Sequence, residues 1–288
     1  MQTLVSVNDL LLNLESSDWA LFDCRFSLAN SEAGLKSYHL DHIPNARYAD
    51  LNNDLSAPVV TGKTGRHPLP DMDRWIEKVR SWGVEPTTQV VAYDASGGPF
   101  AARLWWLFRW SGHERVAVLD GGLGAWMNRK YPVSPDLPDP ATESNYELRP
   151  SLTRMIEAPD LLQALEDKSK GIRLLDAREA ARFRGEEEPL DAVAGHIPGA
   201  LCVPFGENLD RNGFFLKVEQ LKERFDGHLT NADGPSGNDQ NVVCYCGSGV
   251  TAAHNILAMV HAGLPEPILY GGSWSEWILD PQRPIETR

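Results

Sequence analysis

Cys246 is the residue whose setting promises chemistry. It closes the apolar run Val242-Val243-Cys244-Tyr245, which reads as a buried strand. It opens the small-residue stretch Gly247-Ser248-Gly249, ahead of an Ala-rich apolar segment that reads as a helix through Ala262. Strand, tight loop and helix aim successive backbone N–H groups and a helix N-terminus at one point. A sulfur placed there is held as the thiolate, the form that attacks, so Cys246 is expected to be a nucleophile. Gly247 and Gly249 let backbone amides come close to it. Ser248 has two readings: a turn or cap residue, or a hydroxyl that relays a proton or holds a substrate carbonyl. Thr251 reads as a first-turn helix residue. Cys244 shares a strand face with Cys246 by period two and is expected in the core. A Cys-x-Cys metal site needs further ligands, and the loop offers none at the usual spacing.

The chain of 288 residues carries 42% apolar and 23% charged residues, which suits one large or two ordinary globular domains. Net charge is −13 and no run of Lys or Arg occurs, which argues against nucleic acid or an anionic membrane as partner. Met1 to Leu14 lacks the basic start and apolar core of a signal peptide. No stretch approaches the ~20 apolar residues of a membrane span. Four scattered cysteines (Cys24, Cys202, Cys244, Cys246) fit a reducing compartment, with the cytoplasm as expected location.

The elements that must position Cys246 occur twice. Leu4 to Leu14 reads as a helix and Trp19 to Cys24 as a strand running into Asp23-Cys24-Arg25; Asp41-His42-Ile43-Pro44 marks a turn. The same order returns in Asp176-Ala177-Arg178 and Gly195-His196-Ile197-Pro198, at offsets of 153 and 154 residues. Val90 to Gly97 lies over Val242 to Gly249, and Leu119-Asp120-Gly121-Gly122 through Trp126 over Leu269-Tyr270-Gly271-Gly272 through Trp277. Matches in one order at nearly constant spacing indicate a duplication. Asp94 stands at the position of Cys246, and a carboxylate cannot exchange sulfur, so the first half is expected to be non-catalytic. Short apolar runs alternate with helical segments such as Phe100 to Trp110, so the expected class is α/β, each half a mostly parallel sheet flanked by helices. The expected boundaries are residues 1–130, a Pro-rich linker over 131–150 and residues 151–288. Thr230 to Gln240 reads as an exposed loop.

The duplicated Asp-x-Arg, the His-Ile-Pro turn and the Gly-Gly-x-x-x-x-Trp ending resemble those of tandem rhodanese domains. The loop Cys246-Gly247-Ser248-Gly249-Val250-Thr251 is similar to the active loop of the 3-mercaptopyruvate sulfurtransferases within that family. The resemblance implies that Cys246 takes a sulfur atom from a small-molecule donor as a persulfide, which the loop amides hold. The sulfur then passes to a thiol, thioredoxin or cyanide, with no metal or organic cofactor. It implies that Gly247, Gly249, Val250 and Thr251 face the substrate together with Ser248, and that Arg182, in Arg182-Phe183-Arg184-Gly185, binds the carboxylate of a keto-acid donor. The family's second substrate arginine is replaced near Pro189-Leu190-Asp191, and Glu186-Glu187-Glu188 makes the segment acidic; Arg184 is the candidate to compensate. His67, in Arg66-His67-Pro68-Leu69-Pro70, resembles an element that relatives bring to the cleft, where a histidine moves protons or contacts substrate. Asp50 and Asp54 are candidates to orient it, with Asn52 at the closest matching position; Asp54 is preferred. Asp23, Arg25, Asp176 and Arg178, with His42 and His196, are assigned to the scaffold.

Three other functions remain to be weighed. A thiosulfate:cyanide enzyme of this family would favour cations after the cysteine, where Gly247 and Ser248 are neutral. A cysteine phosphatase needs a longer loop closed by an arginine, and the sixth residue after Cys246 is Ala252. A sulfur-carrier module would receive its persulfide from a protein donor alone.

Overall fold

A computed structural model describes residues 2–167, 171–229 and 241–287; the loop expected over Thr230 to Gln240 lies outside them. The chain divides into two compact units. One comprises Met1–Pro58, Leu69–Leu152 and Arg211–Phe215, the other Val59–Pro68, Thr153–Asp210 and Leu216–Arg288. Each unit therefore takes in a short segment from the opposite half of the sequence. No helix among the described residues is long and apolar enough to cross a membrane.

The first unit runs β1 (Leu4–Val5), α1 (Val7–Leu12), β2 (Trp19–Asp23), α2 (Ala33–Leu40), β3 (Arg47–Tyr48), α3 (Met72–Ser81), β4 (Gln89–Tyr93), α4 (Pro99–Trp110), β5 (Val116–Leu119) and α5 (Gly122–Asn128). The second runs β6 (Arg154–Ile156), α6 (Ala158–Glu166), β7 (Ile172–Asp176), α7 (Ala180–Phe183), β8 (Leu201–Cys202), α8 (Val218–Leu229), β9 (Asn241–Tyr245), α9 (Val250–His261), β10 (Ile268–Tyr270) and α10 (Ser273–Trp277). Among the described residues each unit has a five-stranded sheet, in the orders β1-β5-β4-β2-β3 and β6-β10-β9-β7-β8. Every pairing is parallel. The two orders coincide once the second is counted from β6, so the duplication seen in the motifs extends to topology. Helices crossing between parallel strands bury both sheet faces, which is why β4 and β9, after an opening Gln89 and Asn241, run apolar rather than alternating.

Leu4 to Leu14 departs from the helix expected of it. Leu4 and Val5 pair with Val118 and Leu119 as an edge strand. The helix starts only at Val7, because the Ser6 hydroxyl caps it by accepting the Asp9 N–H at 3.1 Å. The helices expected at Phe100 to Trp110 and Ala252 to Ala262 form within two residues of those bounds.

The repeated motifs are fastenings. Arg178 grips Asp176 at 2.6 Å with both side chains nearly fully buried, reaches the Gly195 carbonyl at 2.7 Å and lies over the Trp274 ring at 4.9 Å. Arg25 does the same for Asp23 at 2.8 Å and for the Asp41 carbonyl. Tyr245, at the end of β9, accepts the Ile197 N–H at 3.1 Å, as Tyr93 accepts that of Ile43. His196 bridges to Glu286, and Trp277 Nε1 donates to Pro284 O at 2.9 Å. In the first unit His42 bridges to Ser134, and Trp126 donates to Pro132 O at 2.8 Å. The Pro-rich stretch 131–150 thus runs along the first unit, held also by Tyr146 O on Arg80 and Ser144 on Val84 O.

Removing one partner of a buried ion pair leaves the other charge uncompensated, at a cost of about 3–5 kcal/mol. Asp176→Ala is therefore expected to lower the urea unfolding free energy by that amount; a loss below about 1 kcal/mol would remove the pair from the forces holding β7 to its turn.

Candidate functional site

β9 is the central strand of the second sheet, flanked by β7 and β10. Strand order reverses there, and in open parallel sheets ligands bind beyond the strand ends at such a point. Residues 246–249 form the loop from β9 into α9, the helix that Gly249 caps. Cys246 Sγ receives the N–H groups of Gly249 at 3.1 Å and Ser248 at 3.4 Å. Cys246 is 2% exposed.

The loop is tied down from the β10–α10 turn. Trp274 N donates to Cys246 O and Ser275 N to Gly247 O, both at 2.9 Å. The Cys246 N–H donates to Ser273 Oγ at 3.1 Å, while the same hydroxyl donates to Tyr270 O at 2.9 Å. Ser273 holds a left-handed backbone (φ 56), which a side chain adopts at a cost. Its hydroxyl is the return on that strain: it satisfies the buried cysteine amide.

The segment Val59–Pro68 belongs to this unit. A Cβ on Gly65 would stand 2.6 Å from Gly272 O, so the segment lies flat on the turn only because residue 65 has none. Arg66 N donates to Ser275 Oγ at 3.1 Å. His67 follows, and its Nδ1 shares a hydrogen bond of 2.7 Å with Ser248 Oγ, the direction set by the imidazole tautomer. Both residues are buried. A histidine, a serine and a cysteine sulfur are thereby joined through the loop.

Arg182, at the end of α7, donates to Glu188 at 2.7 and 3.3 Å and to Asp191 Oδ2 at 3.1 Å. The other Asp191 oxygen pairs with Arg66 Nη1. A Cβ built on Gly247 would meet Arg66 Nη2 at 2.7 Å and Arg182 Nη1 and Nη2 at 3.5 and 3.6 Å. Two guanidiniums therefore stand over the residue after the cysteine. Burial and the nearby Arg182 charge lower the Arg66 pKa, against the Cys246 sulfur and Glu188, which raise it.

Arg184, expected to stand beside Arg182, instead pairs with Glu186 two residues on, at 2.7 and 2.8 Å, on the exposed side of the segment. Asp54 lies in the first unit, where it pairs with Lys78 at 2.7 Å and accepts the Asp50 N–H at 2.9 Å. Val250 and Thr251 open α9, Thr251 in the first turn expected of it. Arg66, Ser273 and Asp191 are site residues that the sequence reading quoted or passed without assigning. The signal for Arg66 was its place next to His67.

Burial pushes the thiols of Cys24, Cys202 and Cys244 up, Cys202 to about 11, so these three stay protonated and weakly nucleophilic at neutral pH. Among the described residues no three His, Cys, Asp or Glu side chains converge as a metal site.

The first unit shows what the loop does with an anion. Asp94 accepts the N–H groups of Ser96, Gly98, Phe100 and Ala101 at 2.7, 2.9, 3.0 and 3.1 Å, a carboxylate filling its own nest. The counterpart of Ser96 is Ser248, and with the helix caps Gly98 and Gly249 matched, an offset of 151, those of Gly98, Phe100 and Ala101 are Gly249, Thr251 and Ala252.

The family model for the rhodanese-like domain matches residues 6–129 and 157–280. The chain is 45% identical over 285 residues to a Pseudomonas aeruginosa protein named "Probable 3-mercaptopyruvate sulfurtransferase", covering 99% of this chain and 98% of that one. It is 33% identical over 306 residues to "Thiosulfate/3-mercaptopyruvate sulfurtransferase 2" of Arabidopsis thaliana, covering 99% and 86%. The crystal structure of SseA from Escherichia coli, described as a 3-mercaptopyruvate sulfotransferase, superposes with a TM-score of 0.79 at 29% identity, over 96% of this chain and all of that one.

Ser273→Ala leaves the Cys246 N–H buried without an acceptor and is expected to cost about 1–3 kcal/mol. Ser273→Gly is expected to cost less, because glycine takes φ 56 without strain. Equal losses in urea unfolding, or none, would contradict this account of the turn.

Proposed function

The chain belongs to the rhodanese family, and from that premise we propose that it is a sulfurtransferase working through a persulfide on Cys246. The donor is 3-mercaptopyruvate, which leaves as pyruvate, and the acceptor is a thiol, such as that of thioredoxin, or cyanide. The observation that carries the reading is the pair of loop amides aimed at Cys246 Sγ beside the Arg182 guanidinium.

In the first half-reaction the Cys246 thiolate attacks the donor sulfur. The S–S bond forms as the C–S bond breaks, and its electron pair leaves on carbon as the pyruvate enolate. The enolate takes up a proton and the new persulfide gives up the former thiol proton, so no net proton is consumed. The Ser248–His67 pair, bonded at 2.7 Å, is placed to carry it. The outer sulfur anion then rests on loop amides, as the Asp94 oxygens do in the first unit. In the second half-reaction the acceptor attacks that sulfur, the S–S bond breaks, and the Cys246 thiolate returns.

Charge supports the choice of donor. Arg66 and Arg182 are balanced by Glu188 and Asp191. A donor with one carboxylate adds one charge to this balanced group, whereas thiosulfate adds two, and unbalanced charge in a buried site is costly. Thiosulfate remains the alternative donor, named with 3-mercaptopyruvate in the Arabidopsis relative. All four cysteines are free, which supports a reducing compartment such as the cytoplasm.

Steady-state rates with both donors, each paired with cyanide, test the reading. The expected kcat/KM favours 3-mercaptopyruvate by about tenfold or more, a difference of ~1.4 kcal/mol, and Cys246→Ser shows no turnover with either donor. A preference for thiosulfate would reverse the donor assignment. Turnover by the serine variant would remove Cys246 as nucleophile.

A further inference from the structure

We propose that Arg66 binds the donor: with Arg182 it forms a two-guanidinium clamp for the donor's carboxylate, and Asp191 sets the spacing of the pair. The inference rests on the function proposed above, because that reading supplies a donor with a carboxylate.

Arg66 is fixed at both ends. Its N–H donates to Ser275 Oγ at 3.1 Å, and its guanidinium Nη1 pairs with Asp191, whose side chain is 4% exposed. The second oxygen of the same carboxylate takes Arg182 Nη2 at 3.1 Å. One buried carboxylate therefore holds two guanidiniums side by side, and Glu188 takes the same Arg182 Nη2 at 2.7 Å and its Nε at 3.3 Å. These contacts occupy Nη1 of Arg66 and Nε and Nη2 of Arg182. The remaining terminal nitrogens, Arg66 Nη2 and Arg182 Nη1, are the ones nearest a Cβ position on Gly247, at 2.7 and 3.5 Å. Each guanidinium thus presents a donor edge to the residue beside the nucleophile.

A carboxylate is best received by two N–H donors acting together. In a 3-mercapto-2-keto acid the carboxylate is joined to the thiol carbon through one carbonyl, so a sulfur at Cys246 brings the carboxylate to the neighbourhood of Gly247. Glycine at that position is what lets Arg66 Nη2 come this close to the loop. The second cation at the loop comes from the segment carrying His67, not from the stretch that follows Arg182.

The test compares 3-mercaptopyruvate with mercaptoacetone, which has the same thiol and ketone and a methyl group in place of the carboxylate. Arg66→Ala is expected to raise KM for 3-mercaptopyruvate by about 10- to 100-fold, in keeping with loss of a charged hydrogen bond, with kcat changed less. The loss in kcat/KM is expected to be roughly tenfold greater than with mercaptoacetone, and Arg66→Lys to recover part of it through charge without the fork. Should Arg66→Ala fail to fold by thermal melt, Gly247→Ala displaces the same guanidinium by adding a methyl where Nη2 now stands, with the same donor-selective loss expected. Equal losses on both donors, or an unchanged KM for 3-mercaptopyruvate, overturn the clamp. A wild-type protein that turns over neither donor overturns the proposed function itself, and the clamp with it.

Discussion

Two backbone N–H groups, those of Ser248 and Gly249, converge on the sulfur of Cys246, and much of the second unit serves to keep them there. The loop can aim its amides only if its own carbonyls and the cysteine N–H are satisfied elsewhere. Trp274 and Ser275 take the carbonyls of Cys246 and Gly247, and the strained Ser273 takes the N–H. The strand behind the loop is held by Tyr245 on Ile197 and by the Asp176–Arg178 pair, with Arg178 stacked on Trp274. A chain of fastenings runs from the buried ion pair through the tryptophan to the cysteine.

The first unit repeats this frame around a different acceptor. Asp94 turns its carboxylate into the nest and takes four amides at once. One scaffold thus holds a self-filled nest when the residue is aspartate and the proposed nucleophile when it is cysteine. The nest comes from backbone geometry, and the chemistry comes from the side chain placed in it. The surroundings of Cys246 add what Asp94 does not need: a hydrogen-bonded Ser248–His67 pair and two guanidiniums balanced by Glu188 and Asp191.

The scaffold was legible because its fastenings recur as motifs. Asp-x-Arg, His-Ile-Pro, the strand-end tyrosine and the terminal tryptophan make directional contacts that recur in both copies. Helices buried nearly all round, such as α4 and α9, were readable as long apolar runs. Leu4 and Val5 were not, since an edge strand two residues long has no period and only the Ser6 cap marks where the helix begins. At the site, Cys246 could be read from its loop. Arg66 could not be placed, because it lies 180 residues before the cysteine and its partner Asp191 sits in a segment that reads as acidic surface. Arg184 had the better position in sequence and lost it to a neighbour, Glu186, which pairs with it locally. Ser273 gave no signal, since a left-handed serine is invisible until its φ is seen.

The proposed persulfide belongs to Cys246 alone among the four cysteines. Its most direct test is mass spectrometry of the protein after exposure to 3-mercaptopyruvate without an acceptor. The account predicts a gain of one sulfur atom per chain, confined to the peptide containing Cys246 and removed by cyanide. No gain, or a gain on the peptides carrying Cys24 or Cys202, would contradict it.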